Sequence, residues 1–532
     1  MKLFRFASLA LVLTAPAMAA SVDQRQSPQP PSSFGESIDV RAVNVEAVVT
    51  DRRGNRIKGL SPSDFQLFVD GKEVPIDYFT EVVEGETAAP PKAAAGGAEA
   101  VASPVSGGAV GTSYLVFIDD SFSIGVQRDL VLRRLSSDLR LGPEDRVAVV
   151  AFNGRGVDLL SDWTGDAEAV RRTLAKAQER PAMGINRLAM RRTEGAPGDL
   201  VADTGASYLL YSEAETAVTA AAAAMRGVAV PEGRKVFLLL SGGWPLTNPH
   251  QLLADPLRDV PSITYTPRPE ELFERVTETA NLLGYTIYPV DVQGLDPEST
   301  WADARSSEPR DAGFITSNWE RGTDSVLEYL AEETGGKAVL NSARLNAFER
   351  VAADTRSYYW LGFTPEWRAD DQRHDIEVKV KKAGARLRAR SGFSDLSREA
   401  RAELQTESLL LFGTEGMERI RVQTGTARRS GLWLVELPVT LEIPASAMTP
   451  LPTADGYEVQ AILSMGALDK FGGRSRLESV PLRLALPAAP GPGVYARFET
   501  TLKLRRGPQK LVFSVEDATG GGQSWADLEV KP

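Results

Sequence analysis

The chain has 532 residues, no cysteine and only two histidines, His250 and His374. Without cysteine there is no disulfide, no thiol nucleophile and no sulfur-ligated metal. Two histidines leave almost no material for a zinc site or a histidine-based triad. No G-x-S-x-G, H-E-x-x-H, P-loop or G-x-G-x-x-G pattern occurs, so the hydrolase, metalloprotease and nucleotide-binding signatures are missing. Net positive charge is missing too. The formal charge is −11 and the pI near 5.1, the opposite of the basic footprint of a nucleic-acid reader. Beyond the opening segment no apolar run is long enough to span a bilayer. Enzyme chemistry is not expected.

What is present begins with a targeting pattern. Lys2 and Arg5 precede the apolar "FASLALVLTAPAMA", and Ala17-Met18-Ala19 fits a small-residue cleavage site. Residues 1–19 are expected to be a signal peptide and 20–36, polar and proline-rich, a flexible arm. The mature protein is expected to be exported, to a periplasm or beyond the cell. An apolar content of 42% with 25% charged residues is ordinary for folded domains, and the length suggests roughly three or four of them.

The fold class expected is multidomain, α/β plus all-β. "RAVNVEAVVTD" alternates, with Val43, Val45, Ala47 and Val49 on one face, and Asp70-Gly71 marks a hairpin, so 37–83 reads as a small β domain. Residues 84–112 are Ala, Gly and Pro, a linker able to span on the order of 30 Å as a coil. From 113 to 342 the apolar runs "SYLVFID", "RVAVVAFN", "RKVFLLLSG" and "YTIYPVDV" alternate with helical patterns, as in a doubly wound parallel sheet. Residues 343–395 read as a helix plus a β-hairpin, "EVKVKKAGARLRAR", extending that domain. Residues 396–419 read as a helical connector, and 420–532, six alternating segments between turn residues, as a β-sandwich. Long segments after Met183, Trp244 and Gln293 exceed the usual two to six residues. The latter two follow strands directly and are placed at the carboxyl edge of the sheet, where such folds bind ligands.

In "FIDDSFSIG", "GPEDRVAVVAFN", "GRKVFLLLSGGW" and "LAEETGGKAVLN" leading to "VAADTRSYYWLGFTP", the chain resembles a von Willebrand factor A-type domain. More closely it is similar to exported bacterial proteins with a VWFA-related module, over roughly Arg41 to Phe393. The resemblance implies a vWA-like, Rossmann-like sheet and a D-x-S-x-S loop that helps bind a divalent cation, Mg²⁺, which in turn accepts an acidic residue from a protein partner. Asp119, Ser121 and Ser123 match that loop. Oxygen ligands of this kind suit a hard cation. The family's third-loop aspartate is replaced by Gly242 in Ser241-Gly242-Gly243, and no threonine is placed for its second loop, Thr204 and Thr216 being nearest. Two readings follow: a weakened, metal-ion-dependent adhesion-like (MIDAS-like) site with Asp120 compensating, or a degenerate loop whose hydroxyls cap the next helix.

Trp244 and Asp120 are the expected partner-binding residues, Trp244 as an anchor at the mouth of the site. Lys379, Lys381, Arg386, Arg388 and Arg390 on the hairpin form either an anion-binding patch or a solvated edge. Tyr358, Tyr359 and Trp360 are expected to be core and interface residues, and His250 no more than a loop residue. The function expected is an exported, non-enzymatic protein-interaction protein binding an extracytoplasmic partner through its carboxyl-edge loops. The alternative is a cell-envelope glycan or polymer binder using the β-sandwich and the basic hairpin.

Overall fold

Alternation in the first folded segment makes β1 (Val43–Thr50), followed by β2 (Phe65–Val69), β3 (Lys72–Val74) and β4 (Tyr78–Val83). The computed structural model describes residues 42–87, 108–184, 200–228, 233–244, 269–292, 325–412, 418–431, 433–453, 456–469, 474–486, 493–518 and 522–532. The expected signal peptide and arm, and His250, lie outside them. Asp70 and Gly71 join β2 to β3 at φ +50° and +75°, the left-handed pair that a two-residue hairpin turn needs.

The apolar runs form β5 (Thr112–Asp119), β6 (Arg146–Phe152), β7 (Val157–Thr164), β8 (Arg234–Ser241) and β9 (Tyr285–Asp291). They make one sheet in the order β9-β8-β5-β6-β7. All its pairings are parallel except β6 with the edge strand β7, and a parallel bridge from Val290 to Val339 extends it beyond β9. Alternate residues of β5 serve opposite layers. Leu115 and Phe117 pack with α3 (Leu200–Gly227), α4 (Pro269–Leu283) and α5 (325–333). Tyr114, Val116 and Ile118 pack with α1 (Gly125–Asp138), α2 (Ala167–Ala177) and α6 (Ala347–Thr355). Burial on both faces is why these strands read as continuous apolar runs. The strand order reverses between β5 and β8, so their carboxyl ends flank the topological switch point.

After α6 the chain returns to its beginning. β10 (Tyr358–Phe363) inserts between β1 and β4, with Val43 opposite Phe363. β11 (Gln372–Val380) pairs with β2, β12 (Arg386–Arg388) with β1, and β13 (Gly392–Asp395) with β11. The two sheets close on one apolar core containing Val45, Leu67, Tyr359, Leu361, Ile376 and Phe393. This corrects the expected boundaries. The segment at 37–83 is not a domain by itself, and the strands within 343–395 complete it, while helix α6 alone joins the α/β core. Nor is "EVKVKKAGARLRAR" a hairpin, because its two strands enter different sheets. The basic face divides accordingly. Arg390 is buried and donates to Asn281 O at 2.8 Å, Arg388 pairs with Asp354, and Lys381 donates to Ser63 O at 2.7 Å.

The ends of the Ala/Gly/Pro segment also meet. Val110 N donates to Gly85 O at 2.7 Å and Thr87 N to Gly108 O at 3.1 Å. The segment therefore leaves and returns at one place instead of spacing two units apart. A buried joint ties the β unit to the α/β sheet: Arg234 ion-pairs with Glu46 at 3.1 Å and lies over the Tyr358 ring at 4.3 Å.

Helix α7 (Arg398–Leu411), capped by Ser397 accepting from Ala400 N at 3.2 Å, connects the two halves. Arg226 of α3 donates to Leu404 O and Ser408 Oγ, both at 3.1 Å. Phe412 lies so close to Gly227 that a Cβ there would stand 2.0 Å from its ring. The other face of α7 packs Leu409 and Leu410 on Val512 and Trp525. Beyond it, strands from 418 to 530 form a six-stranded and a four-stranded sheet around one shared core that includes Leu441, Val459, Leu463 and Phe513.

Candidate functional site

β5 ends at Asp119, and the loop 119–124 leads into α1 directly over the switch point. Asp119 is fully buried. Its Oδ1 accepts from the N–H of Ser121 and Phe122 at 3.0 and 3.1 Å. Its Oδ2 accepts from Ser241 Oγ at 2.7 Å and from the Trp244 indole N–H at 3.0 Å. Both donors arrive from the end of β8, which the sheet order places beside β5. Burial pushes the Asp119 carboxyl above its ordinary range. The Ser241, Phe122 and Trp244 donors pull against that, and neighbouring Asp120 adds to it.

Ser123 Oγ donates to Asp119 O at 2.5 Å, bracing the turn. Ser121 Oγ is buried with no partner. Asp120 points away from Asp119's donors. Its Oδ1 accepts from Arg128 Nη1 at 2.5 Å and its Oδ2 from Arg180 Nε at 2.7 Å. Arg180 also reaches Asp158 at 2.6 Å, and Arg128 Nη2 donates to Arg180 O at 2.9 Å. Burial pushes the Asp120 carboxyl up while the two guanidinium groups hold it down.

The loop's residues do not fit a divalent cation. A Mg²⁺ site needs unoccupied oxygen lone pairs around one point. Both oxygens of Asp119 already accept two hydrogen bonds each, near the capacity of a carboxylate. The place of a third-loop carboxylate is taken by Gly242 and by an indole N–H, which can only donate. The adjacent carboxylate, Asp120, is paired with two guanidinium groups. Thr216 is no substitute, since it sits in α3 and donates to Ser212 O at 2.9 Å. Thr204 lies among the α3 residues whose side chains are outside the description. Nor do the serine hydroxyls cap α1: its first residues follow Ile124, which makes no side-chain cap.

Trp244 and Asp120 are corrected as partner-binding residues. Trp244 is 0% exposed and stacks on Phe273 with ring centroids 6.2 Å apart, because its N–H is drawn inward to the buried carboxylate. Asp120 is enclosed by its arginines. Sequence reasoning missed the residues that do face solvent here. Val126 is 74% exposed and Leu130 38%, one turn apart on the same face of α1. Met183, 40% exposed, is held at the loop by its N–H on Asp120 O at 2.8 Å. Gly184 follows, donating to Ser123 O at 3.0 Å, and a Cβ there would meet that same residue's backbone at 2.6 Å. The signal was available in "GVQRDLVLRRL": Val126 and Leu130 fall out of phase with the buried Val131, Leu132 and Leu135.

Three long segments leave from this edge. The first departs after Gly184 and the second after Trp244, both bonded to the loop. The third departs after Val292, whose N–H donates to Ser241 O at 3.1 Å. Residues 185–199, 245–268 and 293–324 themselves lie outside the described residues.

No protein-family model matches the chain, and no curated protein matches it. Among solved structures it is similar to the vWF domain of the type V pili tip protein Mfa5 from Porphyromonas gingivalis, at 12% identity over 42% of this chain and 95% of that one, with a TM-score of 0.21. It is similar to the three N-terminal domains of the same protein at 10% identity, covering 79% and 92%, TM-score 0.25. A third likeness is to an aerotolerance-related membrane protein from Bacteroides fragilis, at 12% identity over 40% and 99%, TM-score 0.15. At such scores the likenesses carry no argument by themselves. The α/β domain is von Willebrand A-like, with the parallel order β9-β8-β5-β6, one antiparallel edge strand, and the D-x-S-x-S loop at the switch point.

Proposed function

We propose that this is an exported, non-enzymatic interaction protein whose vWA-like domain binds a protein partner at the carboxyl edge of its sheet without a bridging cation. One observation carries the reading. At the rim of a loop whose carboxylates are all answered internally, Val126, Leu130 and Met183 expose apolar surface. Exposed apolar side chains grouped on one surface are typical anchors for a protein partner. Among the described residues no helix is long and apolar enough to cross a membrane.

Site-specific photo-crosslinking in cells that export the protein tests this. A photoreactive residue at 126 or 183 should yield one discrete protein adduct, and Val126→Asp with Leu130→Asp should abolish it while leaving the fold intact. Adducts from position 421 or 386, with none from 126 or 183, would move the interaction away from this edge.

A second reading, an envelope-polymer binder, is favoured by two basic clefts. One, of about 570 Å³, is lined by Lys337, Arg350 and Arg386, together with Asp51 and with Asp354 paired to Arg56 and Arg388. The other, of about 520 Å³ on the C-terminal β unit, includes Arg419, Arg421 and Tyr495, with the Arg421 guanidinium 4.1 Å over the Tyr495 ring. Retention on an acidic polysaccharide column, lost with Arg421→Ala and Tyr495→Ala, would favour it.

A further inference from the structure

A different cluster, outside the vWA-like domain, has the property that the D-x-S-x-S loop lacks. His374 lies in β11, beside the β2–β3 turn and the end of β13. Asp70 in that turn fixes the imidazole: its Oδ2 is 2.8 Å from His374 Nδ1, and its Oδ1 accepts from Asp375 N at 3.0 Å. The ring also lies against Phe393, with centroids 5.1 Å apart and planes at 25°. Nδ1 is therefore committed and Nε2 faces the opposite way. Nε2 is 3.6 Å from Asp370 Oδ1. Asp395, the last residue of β13, completes the cluster, with one ligand atom each from Asp370, His374 and Asp395 lying within 4.8 Å of one another.

Asp395 decides what the cluster is for. It is 1% exposed. Its Oδ2 accepts from the N–H groups of Arg368 and Ala369 at 2.5 and 2.9 Å, whereas its Oδ1, also buried, accepts nothing. A buried carboxylate oxygen without a donor is among the costliest groups a fold can carry. An imidazolium at His374 would answer Asp70 and Asp370, but it leaves Asp395 Oδ1 unpaired. A cation answers all three. The 3.6 Å separation of Nε2 and Asp370 Oδ1 is too long for a hydrogen bond. It is close to the edge of a tetrahedron with bonds of about 2.0–2.1 Å, roughly 3.4 Å. The Asp70 contact is the outer carboxylate that orients metal-bound histidines and fixes their tautomer.

We propose that His374 Nε2, Asp370 and the unpaired oxygen of Asp395 form a binding site for a divalent transition-metal cation, with Zn²⁺ the best match and water in the remaining position. One imidazole and two carboxylates, with no sulfur, form the nitrogen–oxygen donor set of three-ligand zinc sites, and affinity among divalent ions favours the later metals over Mg²⁺. The site would tie β11 and β13 to the 366–371 loop. That loop in turn holds the connector helix, since Asp371 Oδ1 accepts from Ser397 N at 2.6 Å, at the N-cap of α7. The role assigned is structural, a staple where the β unit hands over to the C-terminal half.

The test uses the full chain, stripped with chelator and dialysed against ZnCl₂, with bound metal measured directly and thermal unfolding followed in parallel. One Zn²⁺ per chain is expected, raising the unfolding midpoint by several degrees at about 100 times its dissociation constant. His374→Gln and Asp370→Asn should each weaken binding at least tenfold, and Asp70→Asn about 10–100-fold through the outer contact. Asp370 is on an exposed loop, so its variant reads the site even if Asp395→Asn fails to fold. Ser121→Ala should bind as the unaltered chain does. No bound zinc in the unaltered chain would overturn the proposal. So would one equivalent that neither His374→Gln nor Asp370→Asn weakens.

Discussion

The loop after β5 and the corner between β11 and β13 each enclose a carboxylate, and they treat it differently. Asp119 has four donors for two oxygens, all from the protein. Asp395 has two donors on one oxygen and none on the other. The first carries the sequence motif of a cation site and has no lone pairs to spare. The second carries no motif, and its geometry leaves a place for an ion. Ligand residue types in the right spacing are necessary for a metal site, but what decides is whether their lone pairs are still unspent once the chain has folded. In this loop Gly242 offers no carboxylate, and Trp244 two residues on joins Ser241 in donating to Asp119, which is the acceptor of an internal network.

Removing the Asp119 carboxylate tests the first half of that contrast and should have the largest effect. Asp119→Ala strands the Ser241 hydroxyl, the Trp244 N–H and two backbone N–H groups in a site with no exposure, which should cost on the order of 3–5 kcal/mol. Urea unfolding of the full chain measures it. A loss below about 1 kcal/mol would mean that water or an ion satisfies those donors instead.

Asp354 offers a third treatment, a carboxylate answered by charge. Arg56 reaches its Oδ1 at 2.6 Å, Tyr288 donates to its Oδ2 at 2.7 Å, and Arg388 pairs with the same oxygen. Burial pushes its carboxyl up, but Arg388 and Arg56 outweigh this and hold it below the ordinary value of 3.8. A depressed folded pKa contributes stability above the unfolded value, which is lost as pH falls through the folded one. Asp354→Asn should therefore cost about 1–2 kcal/mol at pH 7. The gap from the unaltered protein should close as the pH is lowered past 3.8. A gap independent of pH would show that the arginines act here by packing.

Much of this architecture was legible in the sequence. Continuous apolar runs marked the buried strands β5, β6, β8 and β9, because helices cover both faces and leave no polar side. Alternation identified the buried face of β1, but it cannot name the partner strand. The pairing of Val43 with Phe363 closes a loop of most of the vWA-like domain, and no local pattern encodes it. The Lys-Lys-Ala-Gly-Ala segment has turn chemistry, yet β11 and β12 part into separate sheets because their apolar residues face one core from two sides. Trp244 was placed at the mouth of the site from its position after a glycine pair. Its direction depends on the buried acceptor across the switch point, a tertiary fact. Arg128 sits on a helix face with Val131, Leu132 and Leu135, and only the folded position of Asp120 explains why a guanidinium is buried there. Asp395 gave no sign at all, since one aspartate at a strand end is ordinary until its second oxygen proves to be unanswered.

The smallest expected effect separates the two sites most cleanly. Ser121 Oγ, like Asp395 Oδ1, is buried without a partner. As a neutral hydroxyl it costs far less to leave unpaired than a charged oxygen does. If the loop works without a cation, Ser121→Ala removes a small burden and nothing else. The variant should match the unaltered chain or gain up to about 1 kcal/mol, equally in chelator and in millimolar Mg²⁺. If Ser121 is a cation ligand, the unaltered chain alone should gain stability with Mg²⁺ and the variant should not. A Mg²⁺-dependent difference between the two proteins would restore the loop as a metal site. Its absence, together with zinc-dependent stability that His374→Gln removes, would place the ion at the β11–β13 corner.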